Sequence, residues 1–325
     1  MRILITGGAG FIGSHLAELL LQDDANRITV VDNLRTGKFT NIQRLTESPN
    51  YKLLVGGVTD STLLEPLVAE CDHIYHLAAG VGVRRIIEEP VETIETNILG
   101  TESMLKLAAK YHKKILIAST SEVYGKNLKI PFQEDDDSVF GATTKSRWSY
   151  ACSKAIDEFL SLAYNKEKGL PVVIVRLFNT VGPRQTGRYG MVIPNLVRQA
   201  LADQPLTVYG DGQQSRCFTH VRDSVRCQVA LMNEPRAVGQ IYNLGSQQEV
   251  TIEQLARLVI EMTGSASSIQ YIPYEEAYEA GFEDMRRRVP DMSKLRALLG
   301  HSPESDLRSI LSDVIEYSRQ HTESQ

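Results

Sequence analysis

Residues 2–13 read RILITGGAGFIG and continue into SHLAELL (14–20). An Ile/Leu-rich run predicts a buried strand, the glycines at G-x-x-G-x-x-G spacing (Gly7, Gly10, Gly13) a tight turn, and the amphipathic stretch a helix. Glycines there let the backbone approach a pyrophosphate, which the amide N–H groups and dipole of a helix N-terminus attract. A glycine turn alone is common between a strand and a helix, so its neighbours decide the reading. Asp32 closes the next apolar run, ITVVD (28–32), 19 residues past Gly13. A carboxylate at that place takes the ribose hydroxyls of a dinucleotide. Its charge opposes a 2′-phosphate, so NAD is expected rather than NADP, with Arg35 nearby as the contrary sign.

Beyond the turn, apolar runs alternate with amphipathic stretches. YKLLV (51–55), HIYHLA (73–78), KILIAS (114–119) and VVIVRL (172–177) read as strands, and 14–21, 61–69, 95–111 and 150–168 as helices. This alternation predicts an α/β fold, a Rossmann-like doubly wound parallel sheet covered on both faces. QIYNLGS (240–246) reads as a further strand returning to it. After Asn179, Gly and Pro become frequent, a helix is expected over 193–202, and LTVYGDGQQSRCFTHVRD (206–223) is extended around a turn. TIEQLARLVIEMTG (251–264) is amphipathic and stops at Gly264. The expected division is an NAD-binding domain of 1–178 plus about 218–246, and a smaller interleaved α/β C-terminal substrate lobe of about 179–217 plus 247–325. The acidic run EDDD (134–137) reads as a solvated loop.

A chain of 325 residues suits one large domain or two sharing a core. Its net charge of −5 gives no reason to expect nucleic acid or a membrane as partner. The four cysteines have neither C-x-x-C nor zinc spacing, so they read as reduced thiols and no metal is expected. With no leader pattern and no apolar run of membrane length, a cytoplasmic location is expected.

The glycine spacing, HLAA (76–79), NILGT (97–101), STSEVYG (119–125), YACSK (150–154) and RLFNTVGPR (176–184) together resemble the extended short-chain dehydrogenase/reductase family over nearly the whole chain. The resemblance implies that NAD is held by Gly7, Gly10, Phe11, Ile12, Gly13, Asp32, Asn33, Val58, Leu77, Ala78, Ala79, Asn97, Ser119, Tyr150 and Lys154. One departure is Gly56-Gly57, where many members carry Gly-Asp to hold the adenine amine. A backbone group near Val58 would take that place.

Within YACSK, Tyr150 and Lys154 stand one helical turn apart. A free phenol ionises near pH 10, and a fixed cation beside it brings that value towards neutrality. The pair alone would suit the surface of an amphipathic helix equally well. The resemblance instead implies that Tyr150 is the acid/base, that Lys154 lowers its pKa and binds the nicotinamide ribose, and that Thr120 hydrogen-bonds the reacting hydroxyl. A non-catalytic NAD-binding module would have no use for these three residues. The implied chemistry is oxidation of a UDP-sugar at C4 to a 4-ketone.

The fate of that ketone separates 4-epimerases, 4,6-dehydratases and decarboxylases. Glu122 sits where common 4-epimerases have no acid, and Ser121 cannot replace the aspartic acid that dehydratases use. TSEVYG (120–125), RWSY (147–150), Arg216 and GFED (281–284) with Arg288-Val289-Pro290 resemble the UDP-glucuronate decarboxylases. The segment Ala79-Gly80-Val81-Gly82-Val83-Arg84-Arg85 looks more like a 4-epimerase. UDP-glucuronate decarboxylation is the leading expectation, UDP-glucose or UDP-glucuronate 4-epimerisation the alternative. Substrate contacts are expected from Arg147, Asn179, Arg188, Tyr209, Arg216 and Arg288, with Arg147 or Arg216 on the uronate carboxylate and Arg216 with Arg287 or Arg288 about the diphosphate. A helix-start salt bridge is open to Arg147, a phosphate clamp to Arg216 and core packing to Tyr209. A homodimer is implied, through helices 95–111 and 150–168 with Met104, Leu105, Leu107, Ile156, Phe159, Leu160 and Leu162 as the apolar positions.

Overall fold

The computed structural model describes residues 1–82, 88–187, 190–273, 276 and 285–321. The strands in chain order are β1 (Arg2–Thr6), β2 (Arg27–Asp32), β3 (Tyr51–Val55), β4 (His73–His76), β5 (Lys114–Thr120), β6 (Val172–Leu177), β7 (Thr180–Val181), β8 (Leu206–Tyr209), β9 (Ser215–Cys217), β10 (Thr219–His220), β11 (Gln240–Leu244), β12 (Glu249–Thr251) and β13 (Ile269–Ile272). The principal helices are α1 (Phe11–Leu20), α2 (Ser61–Glu70), α3 (Pro90–Lys110), α4 (Arg147–Lys168), α5 (Val192–Leu201), α6 (Val221–Asn233), α7 (Ile252–Thr263), α8 (Ser293–Leu299) and α9 (Leu307–His321). Seven strands form one sheet in the order β11-β6-β5-β4-β1-β2-β3, parallel throughout. The order reverses between β1 and β4, and a doubly wound sheet opens its ligand crevice at that point, beyond the carboxyl ends of its strands.

One apolar layer, including Ile3, Ile5, Leu16, Val173 and Val225, packs one sheet face against α1 and α6. Another, including Leu4, Ile74, Met104, Ile115 and Ile174, packs the opposite face against α2 and α3. Ile, Val and Leu on both faces of each strand dictate this double covering. A separate cluster joins α5, β8, α7 and α9 through Leu196, Val208, Leu255 and Val314. α7 carries a capping box, Thr251 with Gln254, and ends at Gly264 in the left-handed region. All four cysteines are free thiols. Among the described residues no helix is long and apolar enough to cross a membrane.

The acidic run is a loop with Asp135 and Asp137 exposed, as read, but its other two carboxylates have structural work. Glu134 Oε1 accepts a 2.8 Å bond from Asn243 N and Asp136 Oδ2 one of 2.8 Å from Gln133 N, so two of its carboxylates hold local backbone. The helix positions expected to face a partner also divide. Met104, Leu105 and Leu107 are core residues, whereas Ile156 and Phe159 are exposed.

Candidate active site

The glycine turn follows β1 at the switch point. Gly7 has φ +73°, and a Cβ on it would stand 2.8 Å from Ala78 N, while one on Gly13 would stand 2.3 Å from Gly7 O. No larger residue fits either place. Gly10 N donates to Gly7 O, Leu77 N to Thr6 O and Ala78 N to Thr6 Oγ1, which ties segment 77–79 alongside the turn. Phe11 and Ile12 open α1, with the Phe11 ring edge-on to His15.

Asp32 ends β2 buried. Its Oδ2 accepts from Ala9 N at 2.9 Å and its Oδ1 from Leu34 N at 2.8 Å. Burial raises its carboxyl above the usual range, and the amide bonds oppose that rise. The carboxylate therefore anchors the glycine turn and still has lone pairs to offer ribose hydroxyls. Asn33 Oδ1 accepts from Arg35 N. Arg35 itself is paired with Glu89 at 3.0 Å and with Glu92, so its guanidinium is engaged away from a 2′-phosphate role. Val58 is buried against α3, where a Cβ on Gly100 would meet its Cγ2 at 2.6 Å. The Cβ-free cradle, the carboxylate and the engaged arginine fit NAD.

Two residues expected on the cofactor also make contacts within the protein. Asn97 spends both ends of its amide, accepting from Gly80 N at 2.8 Å and donating to Ser153 Oγ at 3.0 Å. It braces segment 77–82 to α4. The Ser119 hydroxyl donates to Glu158, whose carboxylate is also held by Arg176 through Nε and Nη2.

The reacting end is assembled by β5, the turn after it and α4. The Thr120 hydroxyl is hydrogen-bonded to the Tyr150 phenol and accepts from Glu122 N at 3.2 Å. Burial is the largest influence on that phenol and holds it above pH 10, the Glu122 carboxylate adding to the rise; the Thr120 bond lowers it, Asp157 raises it and Arg288 lowers it. Lys154, expected to act on that phenol, has its ammonium on a neighbouring carboxylate. Lys154 Nζ donates to Asp157 Oδ2 at 2.7 Å, both side chains being essentially without exposure. A cationic influence on the phenol comes from Arg288, at the other end of the sequence.

Glu122 lies between two arginines, Oε2 at 3.4 Å from Arg147 Nη2 and Oε1 at 2.8 Å from Arg288 Nη1. The turn carrying it is seated on a small apolar cluster of Val123, Tyr124, Phe132, Ala155 and Phe178. Tyr124 stacks on Phe132 with centroids 4.5 Å apart, and its hydroxyl donates to Asn243 Oδ1 at 2.7 Å.

The other expected substrate residues are spread wider. Asn179 follows β6 with φ +31°, its Nδ2 on Cys217 O at 3.0 Å. Arg216 is buried on β9, with Nη1 on Ser215 O at 2.8 Å. Tyr209 is 38% exposed at the end of β8, which removes the core-packing reading. Arg287 is in a bidentate pair with Glu249 and Arg288 is at Glu122, so neither stands as a free diphosphate clamp. A cleft of about 430 Å³, of ligand-binding size, opens beside β9 and β12 with Arg286 and Arg287 in its lining. Arg188, Arg84, Arg85 and the 281–284 motif lie outside the described residues.

Sequence reasoning passed over Asp157, His76 and Thr101. His76 is fully buried between Thr6 Oγ1 at 2.7 Å and Thr101 Oγ1 at 3.3 Å. Burial brings its pKa down to about 3, and the Lys154 charge adds to that fall. The available signal was Asp157 three residues after Lys154, a spacing that places both on one helix face.

A glycine cradle at the switch point, an acid closing β2 and a Thr–Tyr–Lys set at the ends of β5 and α4 define an enzyme of the extended short-chain dehydrogenase/reductase class with NAD as cofactor. Residues 4–314 match the family described as GDP-mannose 4,6 dehydratase, and the chain belongs to it. It is 44% identical over 320 residues to a UDP-N-acetyl-alpha-D-glucosaminuronate decarboxylase of Bacillus cytotoxicus, covering 98% of each chain. It is 39% identical over 326 residues to UDP-glucuronic acid decarboxylase 1 of Xenopus tropicalis, covering all of this chain and 73% of that one. Among solved structures it resembles the UDP-glucuronic acid 4-epimerase of Bacillus cereus in complex with UDP-glucuronic acid and NAD, at TM-score 0.89 and 30% identity, covering 98% of this chain and 99% of that one.

Proposed function

We propose that this enzyme decarboxylates a UDP-linked hexuronate, UDP-glucuronate or its 2-acetamido counterpart, through a 4-keto intermediate. The observation that carries the reading is Glu122 held between Arg147 and Arg288 beside the Tyr150 phenol. Two guanidiniums to one carboxylate make a cationic seat that a uronate carboxylate completes. The names of the relatives at 44% and 39% identity support the same choice.

NAD⁺, held by the glycine turn, Asp32 and Lys154, supplies the hydride acceptor for C4. Tyr150 takes the 4-hydroxyl proton, and Thr120 keeps phenol and hydroxyl in line. With a ketone at C4, the bond from C5 to the carboxyl carbon breaks; its electron pair enters the C5–C4–O enolate and CO₂ leaves. Arg288 and Arg147 hold the carboxylate so that this bond aligns with the carbonyl. The enolate then takes a proton at C5 from solvent, giving a UDP-4-keto-pentose or, where the hydride taken from C4 would be returned there with the proton held on Tyr150, a UDP-pentose of the xylose type. For the nucleotide, Asn179, Tyr209 and Arg216 are the proposed contacts, with Arg188 beside them in sequence. The proposed division of labour keeps NAD on the N-terminal sheet and the nucleotide sugar on the C-terminal lobe. A homodimer in the cytoplasm is part of the same reading, and the exposed Ile156 and Phe159 on α4 support its dimeric part.

The test is incubation of the purified protein with NAD⁺ and each UDP-hexuronate in turn, with products followed by mass spectrometry and proton NMR. Loss of CO₂ from either supports the proposal and names the C2 substituent. A product of unchanged mass with a new anomeric signal makes the enzyme a 4-epimerase.

A further inference from the structure

Lys154 and Asp157 form a pair buried to 2% and 0% exposure, three residues apart on α4, with Nζ 2.7 Å from Oδ2. The pair ends a run of buried polar groups that crosses the sheet from the glycine turn. Thr6 precedes Gly7 on β1, His76 on β4 bonds Thr6 and Thr101, and the Thr101 hydroxyl acts on the Asp157 carboxyl. Asp157 is also fixed from behind, because its own carbonyl accepts from Ser161 Oγ. A buried ammonium without an anion is costly, and so is a buried carboxylate without a cation. An ammonium has three N–H donors, so one spent on Asp157 leaves two for other acceptors.

We infer that Asp157 is the positioning residue of the catalytic lysine: it fixes the Lys154 ammonium and offsets part of its charge, and so sets how readily the Tyr150 phenol gives up its proton. The inference rests on Tyr150 as the base, whichever reaction the ketone undergoes. Other charged groups face the same site. Glu122 comes from the turn after β5, Arg288 from the C-terminal segment, His76 from β4, and Arg147 and Glu158 from α4 itself. Glu158 is matched by Arg176 of β6, and Glu122 by its two arginines, so each of these anions already has a cation. Asp157 is the anion matched to the lysine. Its charge raises the phenol, while burial pushes its own carboxyl up and Lys154 draws it down.

The test compares Asp157→Asn with Asp157→Leu in the full-length enzyme, using the UDP-sugar that it turns over. Asp157→Asn keeps the shape and an acceptor for Lys154 but removes the charge. Its acidic limb in the pH dependence of kcat/KM moves to lower pH by roughly half a unit or more, the scale of one unit charge acting through partly screened protein. Its Kd for NAD⁺, measured by calorimetry, stays within about threefold of the wild type. Asp157→Leu removes the acceptor as well, and its Kd for NAD⁺ rises roughly tenfold, the size of one charge-assisted hydrogen bond. An unmoved acidic limb in Asp157→Asn, or one shifted to higher pH, overturns the inference, as does wild-type NAD⁺ affinity in a folded Asp157→Leu. If Asp157→Leu does not fold, the Asp157→Asn limb decides alone. Turnover retained in Tyr150→Phe would instead remove the base on which the site's reading rests, which separates the two failures.

Discussion

Arg288 Nη1 lies 2.8 Å from Glu122 Oε1, joining a residue of the C-terminal lobe's sequence to the turn that leaves β5. Glu122 in turn acts on Tyr150, so the pair touches both the proposed carboxylate seat and the base. Arg288→Ala is expected to lower kcat for CO₂ release roughly 10²–10³-fold, the scale for losing one preorganised charge in a buried site. Arg288→Lys restores only part of it, since an ammonium lacks the planar donor fork. Wild-type CO₂ release from Arg288→Ala would place the carboxylate elsewhere.

Glu122→Gln separates charge from shape in the same triad. The carboxylate raises the Tyr150 phenol, so its neutral amide is expected to bring the acidic limb of kcat/KM to lower pH. The maximal rate falls, because the two arginines lose the anion that spaces them. The measurement is a pH–rate profile beside the wild type; a limb that stays in place denies Glu122 any hold on the base.

Thr120 and Tyr150 should fail unequally. Tyr150→Phe removes the proton acceptor and is expected to cost roughly 10³–10⁴ in kcat, near the upper range for general acid–base catalysis. Thr120→Val keeps the volume but removes the hydroxyl bonded to the phenol, at a cost of roughly 10–10². Single-turnover formation of NADH, read by its own absorbance, isolates the oxidation step. Equal losses would make Thr120 a partner in proton transfer rather than an aligner.

His76 gives the fold its own pH dependence. In the folded chain its pKa is about 3, against 6.5 for an unconstrained imidazole. A histidine with a depressed pKa contributes stability that is present above pH 6.5 and lost as pH falls towards 3, because only the unfolded chain takes up the proton. The loss is about 1.4 kcal/mol per pH unit within that window, or about 2 kcal/mol between pH 6.5 and 5. Urea unfolding at the two pH values, compared with His76→Asn, isolates this from the carboxylates. Equal pH slopes for the two proteins would show that His76 is protonated without cost.

The sheet was legible because its strands are apolar on both faces and its first turn must be glycine. β1, β3 and β6 have the bounds that the apolar runs predict, and the C-cap at Gly264 falls where the helical period ends. The site was legible only as types of residue in order along the chain. Tyr150 and Lys154 share a helix face by spacing, but spacing does not say which charge each meets. That depends on tertiary neighbours: Asp157 takes the lysine, while Arg288 and Glu122 act on the tyrosine. Asn97 and Ser119 show the same limit, since a buried amide or hydroxyl in a cofactor motif serves equally well as a brace.

The exposed face of α4 carries the last prediction. Phe159 is 75% exposed and Ile156 46%, one helical turn apart at i, i+3, and Leu99 on α3 is 46% exposed. Exposed apolar residues are ordinary singly, and these three stand on two helices that pack against each other. Met104, Leu105 and Leu107 already serve the core, so the proposed homodimer would use the outer residues rather than those the helical pattern first suggests. Phe159→Glu buries no new charge in the monomer, because the side chain is already in solvent. In a dimer it would bring a carboxylate into an apolar contact, together with its symmetry mate if the contact lies on a two-fold axis. The expected result is a shift from dimer to monomer in light scattering after size exclusion, with the thermal midpoint of the monomer retained. Phe159→Leu, which keeps the patch apolar, should remain dimeric. A Phe159→Glu protein of unchanged mass would move the dimer contact off this face.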